Sequence, residues 1–551
     1  MVHYSWKFWA TFLLLAFLAL TLAYPLVSIF SLSFRSDSNI LWNTVLTDSY
    51  YLDTLMFTLW QATASTLLTL LIGIPSAYVF AHYNFPGKRI LRGLTTVPFV
   101  MPPLVIALGF IALLGDKGLI NSLLQITFRL NNAPLMLMNT IYAILIAHVV
   151  YEFTIVVRIV STAWANLDPD IENAARILGA NRWKVFRKIT LPLLLPSIIA
   201  AGSLVFAFTF TSFGVVLILG GAQYATLEVS IYTLAAHLFQ LPTAAVLTII
   251  QMVITTVFMT SYARYQQRAS TSFNLVPNQT ATTAPQGKID KLLCLANYLI
   301  ILIVLSPLIA LIVRSFIMDG DITVSGFTHI FSNQRDSFFF VSPLRAITNS
   351  LLFGACTVAL AVPMGIISGF LIGNSTHWGK AFLDSMLMLP LGISAVTMGF
   401  GFLIAFNSGI WNLSGSWTII VMAHAVIAYP FVLRSILPVL RSMPPALREA
   451  AQMLGASKGR IFFRIDLPIL WRSIVIGVVF AFAVSLGEFG ATLLLHRPEH
   501  TTMPIAIFRY LGQPGGSNLL QALSMSCVLM LVSAAGFITI ERLRFRNLGS
   551  F

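Results

Sequence analysis

The sequence predicts an all-α polytopic membrane protein with about twelve transmembrane helices, in two parallel repeats of six. Of its 551 residues, 57% are hydrophobic and only 9% are charged. A soluble protein with so few charges would expose large apolar patches and aggregate. A hydrocarbon core about 30 Å thick needs roughly 20 apolar residues per helix, and such runs recur, for example at 8–34, 54–81, 198–221 and 474–495. These runs are too long, and too uniformly apolar, for the strands of a membrane barrel.

The positions of the basic residues predict which side of the membrane each loop occupies. The chain has 33 Lys and Arg residues against 19 Asp and Glu, a formal net charge of +14. Most of these basic residues fall on the side that holds both termini, and the positive-inside rule places that side in the cytoplasm. We therefore expect a multi-pass bacterial inner-membrane protein with both termini cytoplasmic. The basicity is interpreted as a topology signal, not as a nucleic-acid surface.

An internal repeat indicates that the two halves share one plan. Residues 147–158 align without a gap on 423–434, and the same register continues through the following span. In the earlier spans slightly different offsets apply, and the paired residues include Pro25 with Pro307 and Gly109 with Gly401. Because the basic loops of both halves fall on one side, the repeats run in parallel, and a pathway between them is expected.

The repeat predicts three segments in the chain. Residues 1–268 form the first repeat of six transmembrane helices, and residues 291–551 form the second. Between them, Ser, Thr, Gln, Asn and Pro cluster without hydrophobic periodicity. Residues 269–290 are therefore predicted to be a polar cytoplasmic linker.

The loop after the fourth span of each half contains a predicted short amphipathic helix. In the first half, Asp168 suits the N-cap, Pro169 suits the first helical position, and Gly179 allows the turn that ends the helix. One apolar face at helical spacing comprises Ile171, Ala174, Ala175 and Leu178. The second half repeats the pattern with Pro445, Leu447, Ala450, Ala451, Leu454 and Gly455. The central alanines leave room for another protein surface, which favours docking over the alternative of a helix lying on lipid.

In these loops the sequence resembles the permease family of binding-protein-dependent ABC importers. The family signature is Glu-Ala-Ala, three residues and Gly, followed at a distance by Ile-x-Leu-Pro. The second half fits fully, whereas in the first half Asn173 holds the Glu position, with Glu172 one residue earlier. The resemblance implies ATPase-coupling residues at Glu172, Asn173, Ala174, Ala175, Gly179, Glu449, Ala450, Ala451 and Gly455. The departure at Asn173 predicts two unequal docking sites.

The resemblance also implies the partners and the mechanism. Two ABC ATPase subunits bind the cytoplasmic side, a periplasmic or lipid-anchored solute-binding protein docks outside, and the pathway alternates its access. The chain carries no nucleotide-binding domain of its own, because the phosphate-loop-like run 373–380 has the wrong spacing and Ala381 replaces the magnesium-binding Ser or Thr. We therefore expect a transport subunit embedded in membrane lipid, not an enzyme, with no cofactor and no nucleic-acid partner.

Ionisable residues inside membrane spans are costly, which makes them functional candidates. Glu488, its repeat mate Ser212, and Glu152 are the predicted pore residues. The alternative for Glu488 is a packing role beside a nearby Arg or Ser. The repeat mates His148 and His424 are predicted to be helix-packing groups rather than metal ligands, since no acidic or cysteine cluster accompanies them.

The class of solute is less well specified by the sequence. Fused double permeases of the family typically serve ferric iron or thiamine, and the run from Phe213 to Tyr232 is similar to theirs. The run 487–492 also resembles molybdate and sulfate permeases, so an oxyanion remains an alternative. A carrier of the major-facilitator type is a further alternative, but the loop 82–89 lacks the acidic residue that such carriers usually have there.

Overall fold

A computed structural model describes residues 5–34, 38–221, 223–270, 283–318, 320–331, 342–374, 384, 386–407 and 412–545. Of the predicted linker at 269–290, residues 271–282 lie outside this described part. The statements below concern the described residues.

Helices account for nearly all of the regular structure. Those of the first half are α1 (Ser5–Leu18), α2 (Tyr24–Ser33), α3 (Ser38–Thr47), α4 (Ser49–His82), α5 (Lys88–Leu94), α6 (Val97–Val100), α7 (Pro103–Leu114), α8 (Leu119–Phe128), α9 (Ile141–Ala165), α10 (Pro169–Ile177), α11 (Arg182–Val185), α12 (Leu191–Phe210), α13 (Gly214–Leu219), α14 (Leu227–Ala236) and α15 (Leu241–Ser270). Those of the second half are α16 (Lys288–Arg314), α17 (Ser325–Phe331), α18 (Pro343–Asn374), α19 (Ala395–Ala405), α20 (Thr418–Ser442), α21 (Pro445–Met453), α22 (Lys458–Ile461), α23 (Leu467–Gly487), α24 (Gly490–Leu495), α25 (Met503–Leu511) and α26 (Gly516–Phe545).

The helices confirm the predicted all-α polytopic fold. Among the described residues, eleven helices are long and apolar enough to cross a membrane. The count reaches twelve if Met386–Gly392 and Ala395–Ala405, which meet at 107°, are taken as one broken span. The strands in the same residues are β1 (Ile317–Met318) and β2 (Asp321–Ile322), which pair antiparallel.

Hydroxyl side chains allow a helix with polar residues to cross the membrane. In α4, Thr58 Oγ1 donates to the carbonyl of Thr54, and Thr66 Oγ1 donates to that of Ala62, each over 2.7 Å. The residues are buried. Bonding to the preceding turn satisfies each hydroxyl within its own helix, as a hydrocarbon environment requires.

One hydrogen bond recurs at equivalent places and shows the repeat in three dimensions. Thr58 Oγ1 accepts the backbone N–H of Leu227 over 3.0 Å, and Ser350 Oγ accepts that of Met503 over 2.8 Å. In each half, a hydroxyl of a long span therefore holds the first residue of a short helix, α14 in one case and α25 in the other.

Contacts divide the chain into two compact units that differ from the sequence repeats. One unit comprises Met1–Leu41, Ile231–Ile249 and Ser315–Phe551, and the other comprises Trp42–Ser230 and Ile250–Arg314. Helices α1 and α2 thus belong with second-half helices, and α16 belongs with first-half helices. The predicted segments 1–268 and 291–551 describe where the sequence repeats, whereas the compact units exchange their first spans.

Glycines explain how these exchanged spans pack. A β-carbon at Gly109 would lie 2.8 Å from the carbonyl oxygen of Pro307, and one at Gly401 would lie 3.0 Å from Cβ of Pro25. Neither distance leaves room for a side chain unless a neighbour moves. Because both pairs are repeat mates, the same close contact is built once inside each unit.

Candidate ATPase-coupling site

The first loop helix, α10, is fixed at both ends by its own sequence. As predicted, Asp168 caps it, because Oδ1 accepts the backbone N–H of Asp170 over 2.9 Å. At the other end Gly179 adopts φ +82°. The N–H of the following residue donates to the carbonyl of Ala175 over 3.0 Å, which closes a Schellman turn.

The second loop helix, α21, ends in the same way but begins differently. Gly455 adopts φ +76°, and the next N–H donates to the carbonyl of Ala451 over 3.0 Å. Its N-cap is Pro444, which provides no side-chain hydrogen bond, and its first turn has no acidic residue. The first turn of α10 contains Asp170 and Glu172. Because acids near a helix N-terminus interact favourably with the helix dipole, α10 begins with support that α21 lacks.

Each loop helix ends in an exposed apolar pair. Ile177 and Leu178 are 86% and 87% exposed, and Met453 and Leu454 are 89% and 88% exposed. Single exposed apolar residues are ordinary, but matched pairs at repeat positions are candidates for contact with another protein, and we call them the two apolar docking tips. The apolar face predicted from helical spacing contains Leu178 and Leu454 but not Ile177 and Met453. A sequence feature that could have identified both residues is an apolar side chain two positions before the glycine that ends each loop helix.

The predicted coupling residues of these two helices are either exposed or partly buried. The exposed ones are Asn173, Ala174, Gly179, Glu449, Ala450 and Gly455, and the partly buried ones are Glu172, Ala175 and Ala451. Because the side chain of alanine is small, another protein surface can approach the helix closely beside each apolar tip.

A side-chain hydrogen bond joins each loop helix to the start of the span that follows it. Thr190 Oγ1 donates to Glu172 Oε1 over 2.6 Å, and Arg448 Nε donates to Asp466 Oδ1 over 2.8 Å. Thr190 and Asp466 are buried. In the repeat register Glu172 corresponds to Arg448, and Thr190 corresponds to Asp466. We call these two bonds the first and second tethers.

Each tether ends at a π-helical segment. Residues Phe186–Thr190 precede α12, and Phe462–Asp466 precede α23. Such wide turns are rare and occur frequently at functional sites. The guanidinium carbon of Arg448 also lies 5.6 Å from the ring centroid of Phe370 in α18, a cation–π contact. The second tether therefore connects the loop helix to two spans.

Glu488 lies at the break between α23 and α24, and its carboxylate is occupied by local contacts. Oε1 accepts the backbone N–H of Ala491 over 2.9 Å. Oε2 accepts the N–H and the hydroxyl of Thr492 over 2.8 and 2.7 Å. His424 Nε2 lies 3.3 Å from the same oxygen. The side chain caps the N-terminus of α24 and connects it to α20.

The two predicted histidines lie between hydroxyl groups. His148 Nε2 is 2.8 Å from Ser212 Oγ, and a second hydroxyl, on α4, lies 3.2 Å from Nδ1. His424 lies between the hydroxyls of Ser485 and Thr492, each at 2.8 Å. Both imidazoles are buried. These contacts are those of helix-packing groups, and they show that Ser212 occupies the place of Glu488 in the first half.

Glu152 differs from the other predicted pore residues. It lies in α9 and is buried, and its Oε2 has no hydrogen-bond partner among the residues that the structure describes. A carboxylate in a membrane span is costly unless something compensates it. The structure therefore separates an engaged acid, Glu488, from an acid with an available oxygen, Glu152.

Comparison with known proteins identifies relatives over the whole chain. The family model described as "Binding-protein-dependent transport system inner membrane component" matches residues 69–271 and 361–546. The thiamine transport system permease protein ThiP of Escherichia coli K12 is 26% identical over 523 residues, which cover 92% of this chain and 91% of that protein. The protein of the same name from Brucella abortus strain 2308 is 27% identical over 493 residues, 88% of each chain.

A shorter relative matches part of the chain with higher identity. The molybdenum transport system permease protein ModB of Escherichia coli K12 is 36% identical over 188 residues. This match covers 32% of the present chain and 82% of that protein. The double match of the family model agrees with the internal repeat read from the sequence.

Proposed function

We propose that the solute of this chain is thiamine. The chain belongs to the family of inner-membrane components of binding-protein-dependent transport systems. It is thus a permease subunit of an ABC importer and not an enzyme. The observation that carries this proposal is the match to thiamine permeases over 88–92% of the chain. A match of that extent includes residues of both halves, which supports a shared solute class.

An oxyanion is the second candidate, and the molybdenum relative supports it. That match has the higher identity but extends over 32% of this chain. The match to the molybdenum permease therefore leaves most of this chain without a counterpart, whereas the thiamine permeases match nearly all of it. Ferric iron, the other solute expected from the sequence, gains no support from the relatives named above.

The buried acids favour a cationic solute. Thiamine carries a permanent positive charge on its thiazolium ring, whereas an oxyanion would be repelled by a carboxylate in a low-dielectric span. Among the pore candidates Ser212, Glu488 and Glu152, we propose that Glu152, whose Oε2 has no partner among the described residues, pairs with the cationic solute when the pathway opens and becomes charged in that pairing. Glu488 and Ser212 then shape the helix breaks at the pathway.

We further propose that α10 and α21 are the coupling helices, each seated by its apolar docking tip in one of two ATPase subunits. Glu449 offers an exposed carboxylate at one site, whereas Asn173 offers an uncharged amide at the other, so the two contacts are unequal. In this arrangement the loop helices and both termini face the cytoplasm, and an extracytoplasmic binding protein delivers the solute to the opposite side.

Uptake of labelled thiamine tests the solute assignment. Deletion of this chain should abolish high-affinity thiamine uptake, and the intact chain should restore it. Unlabelled thiamine should compete, whereas molybdate and ferric iron should not. The matched variant Glu152→Gln, which keeps the size and removes the ionisable group, should reduce uptake at least about tenfold, because a hydrogen bond to a charged group contributes about 1.5–3 kcal/mol. Loss of molybdate uptake with normal thiamine uptake would instead establish the oxyanion alternative.

A further inference from the structure

We infer that the two tethers, Glu172–Thr190 and Arg448–Asp466, are positioning pairs that transmit movement of a docked loop helix to the span behind it. This inference rests on the proposed function, because it requires that ATPase subunits dock at α10 and α21. It adds to that function the residues through which docking changes the membrane helices.

A tether is needed because the loop helices are short. Each of α10 and α21 has nine residues, and a helix of that length is not stable alone in water. Its position depends on how it is attached. Each tether joins residues 18 positions apart and closes a loop that contains the docking tip, the terminal glycine and the π-helical segment. A pull on the tip therefore reaches the first turn of α12 or α23.

The two halves build the tether from different groups. In the first half the acid, Glu172, lies on the loop helix and the hydroxyl of Thr190 lies on the span. In the second half the acid, Asp466, lies on the span, and the partner on the loop helix is Arg448. The two positions are the same in both halves, but the acid lies on the loop helix in one half and before the span in the other. A hydrogen bond between these two positions is therefore the feature that the halves share.

The second tether is expected to be the stronger one. Both tethers are charge-assisted hydrogen bonds, but only the second joins two ionised groups, so Coulomb attraction between Arg448 and Asp466 adds to it. The side chain of Asp466 is only 7% exposed, so solvent screens the bond weakly. In the first tether, the partner of Glu172 is an uncharged hydroxyl, and the other carboxylate oxygen of Glu172 lies 3.6 Å from Arg176 on its own helix. In the half that contains Glu449, the loop helix is therefore attached more tightly to the span that follows it.

Hydrogen exchange on the purified chain tests the tethers without any partner protein. Arg448→Ala should speed exchange of residues 445–455 about tenfold and leave residues 169–179 unchanged as an internal control. Glu172→Ala should speed exchange of residues 169–179 about threefold and leave residues 445–455 unchanged. The exchanged pair R448D/D466R should restore most of the protection, which shows that the bond is responsible and not the loss of a fold.

Transport per ATP tests whether the tethers matter for coupling. In the reconstituted complex, Arg448→Ala should still bind ATPase subunits but move about tenfold less solute per ATP, and R448D/D466R should recover part of the loss.

Three results would count against this inference. Unchanged exchange in Arg448→Ala overturns the tether, and faster exchange with unchanged transport per ATP overturns its role in coupling. If the wild-type chain binds no ATPase subunit, the proposed function fails and this role fails with it, whereas the exchange experiment still reports on the tether alone.

Discussion

His424 Nε2 lies 3.3 Å from Oε2 of Glu488, and both side chains are buried. The same carboxylate accepts two backbone N–H groups at the start of α24. In the other half, His148 meets Ser212 instead. A histidine junction thus occurs in both halves, and an acid caps the adjoining helix in one of them.

This junction predicts different costs for the two repeat mates. Glu488→Ala leaves the N–H groups of Ala491 and Thr492 unsatisfied, at about 1–3 kcal/mol each. Ser212→Ala removes a single hydroxyl contact and should cost about 1 kcal/mol. The unfolding temperature in detergent should therefore fall further for Glu488→Ala than for Ser212→Ala. Glu488→Gln keeps one acceptor oxygen but turns a donor NH2 group toward another backbone N–H, so its unfolding temperature should lie between those of the wild type and Glu488→Ala, and it should transport less. Uptake by that variant at the wild-type rate would remove Glu488 from the transport cycle.

The buried histidines should stabilise the protein without binding metal. His148→Ala and His424→Ala each remove contacts to two hydroxyl groups, at about 0.5–1.5 kcal/mol per hydrogen bond. The unfolding temperature of each variant should fall by a few degrees. Chelator or added zinc should leave the unfolding temperature of the wild-type chain unchanged. A rise with zinc that disappears in His424→Ala would support the metal-ligand alternative.

The apolar docking tips should be required for binding of the ATPase subunits. Met453→Asp and Leu454→Asp place a charge in an interface that has no partner for it, which should weaken binding at least about tenfold. Ile177→Asp and Leu178→Asp should act in the same way at the other site. Co-purification with the ATPase subunits measures the effect. Ser442→Asp, exposed just before α21, is the matched control. Normal binding by all four tip variants would exclude docking at these helices.

The glycine contacts in the exchanged spans should tolerate no β-carbon. Gly109→Ala meets the backbone carbonyl of Pro307, which cannot yield easily, and overpacking of this kind costs about 1–3 kcal/mol. Gly93→Ala, in a helix with open space around that position, is the matched control and should be neutral or slightly stabilising. Thermal unfolding compares the two. Equal stability of Gly109→Ala and the wild type would mean that α16 does not pack here in solution.

The sequence was sufficient for the helical fold and for the position of the loop helices. Long apolar runs define spans because no other backbone arrangement satisfies its hydrogen bonds across a bilayer. The bounds of α10 follow from Asp168 and Gly179, since a cap and a left-handed glycine act locally. Those signals depend on neighbours in the chain, which a single sequence contains.

The tethers and the packing of the exchanged spans could not be predicted from the sequence. A repeat search pairs like residues, and it passes over Glu172 and Arg448 because their charges are opposite. Hydropathy predicts that α16 crosses the membrane, but it does not predict which helices α16 packs against. The partners of Glu488 were also missed, because backbone N–H groups at a helix start leave no mark in the side-chain pattern.

The exchange of first spans has a consequence for synthesis. Tyr24 donates its hydroxyl proton to the carbonyl of Ala405 over 3.0 Å, although the two residues are 381 positions apart. The span Thr11–Ser33 must therefore remain in the bilayer without these native neighbours until α19 has been translated. Contacts of such long sequence separation slow assembly and leave partly folded intermediates exposed to degradation. Membrane quality control would therefore encounter this chain for longer than it would two halves that each closed on themselves.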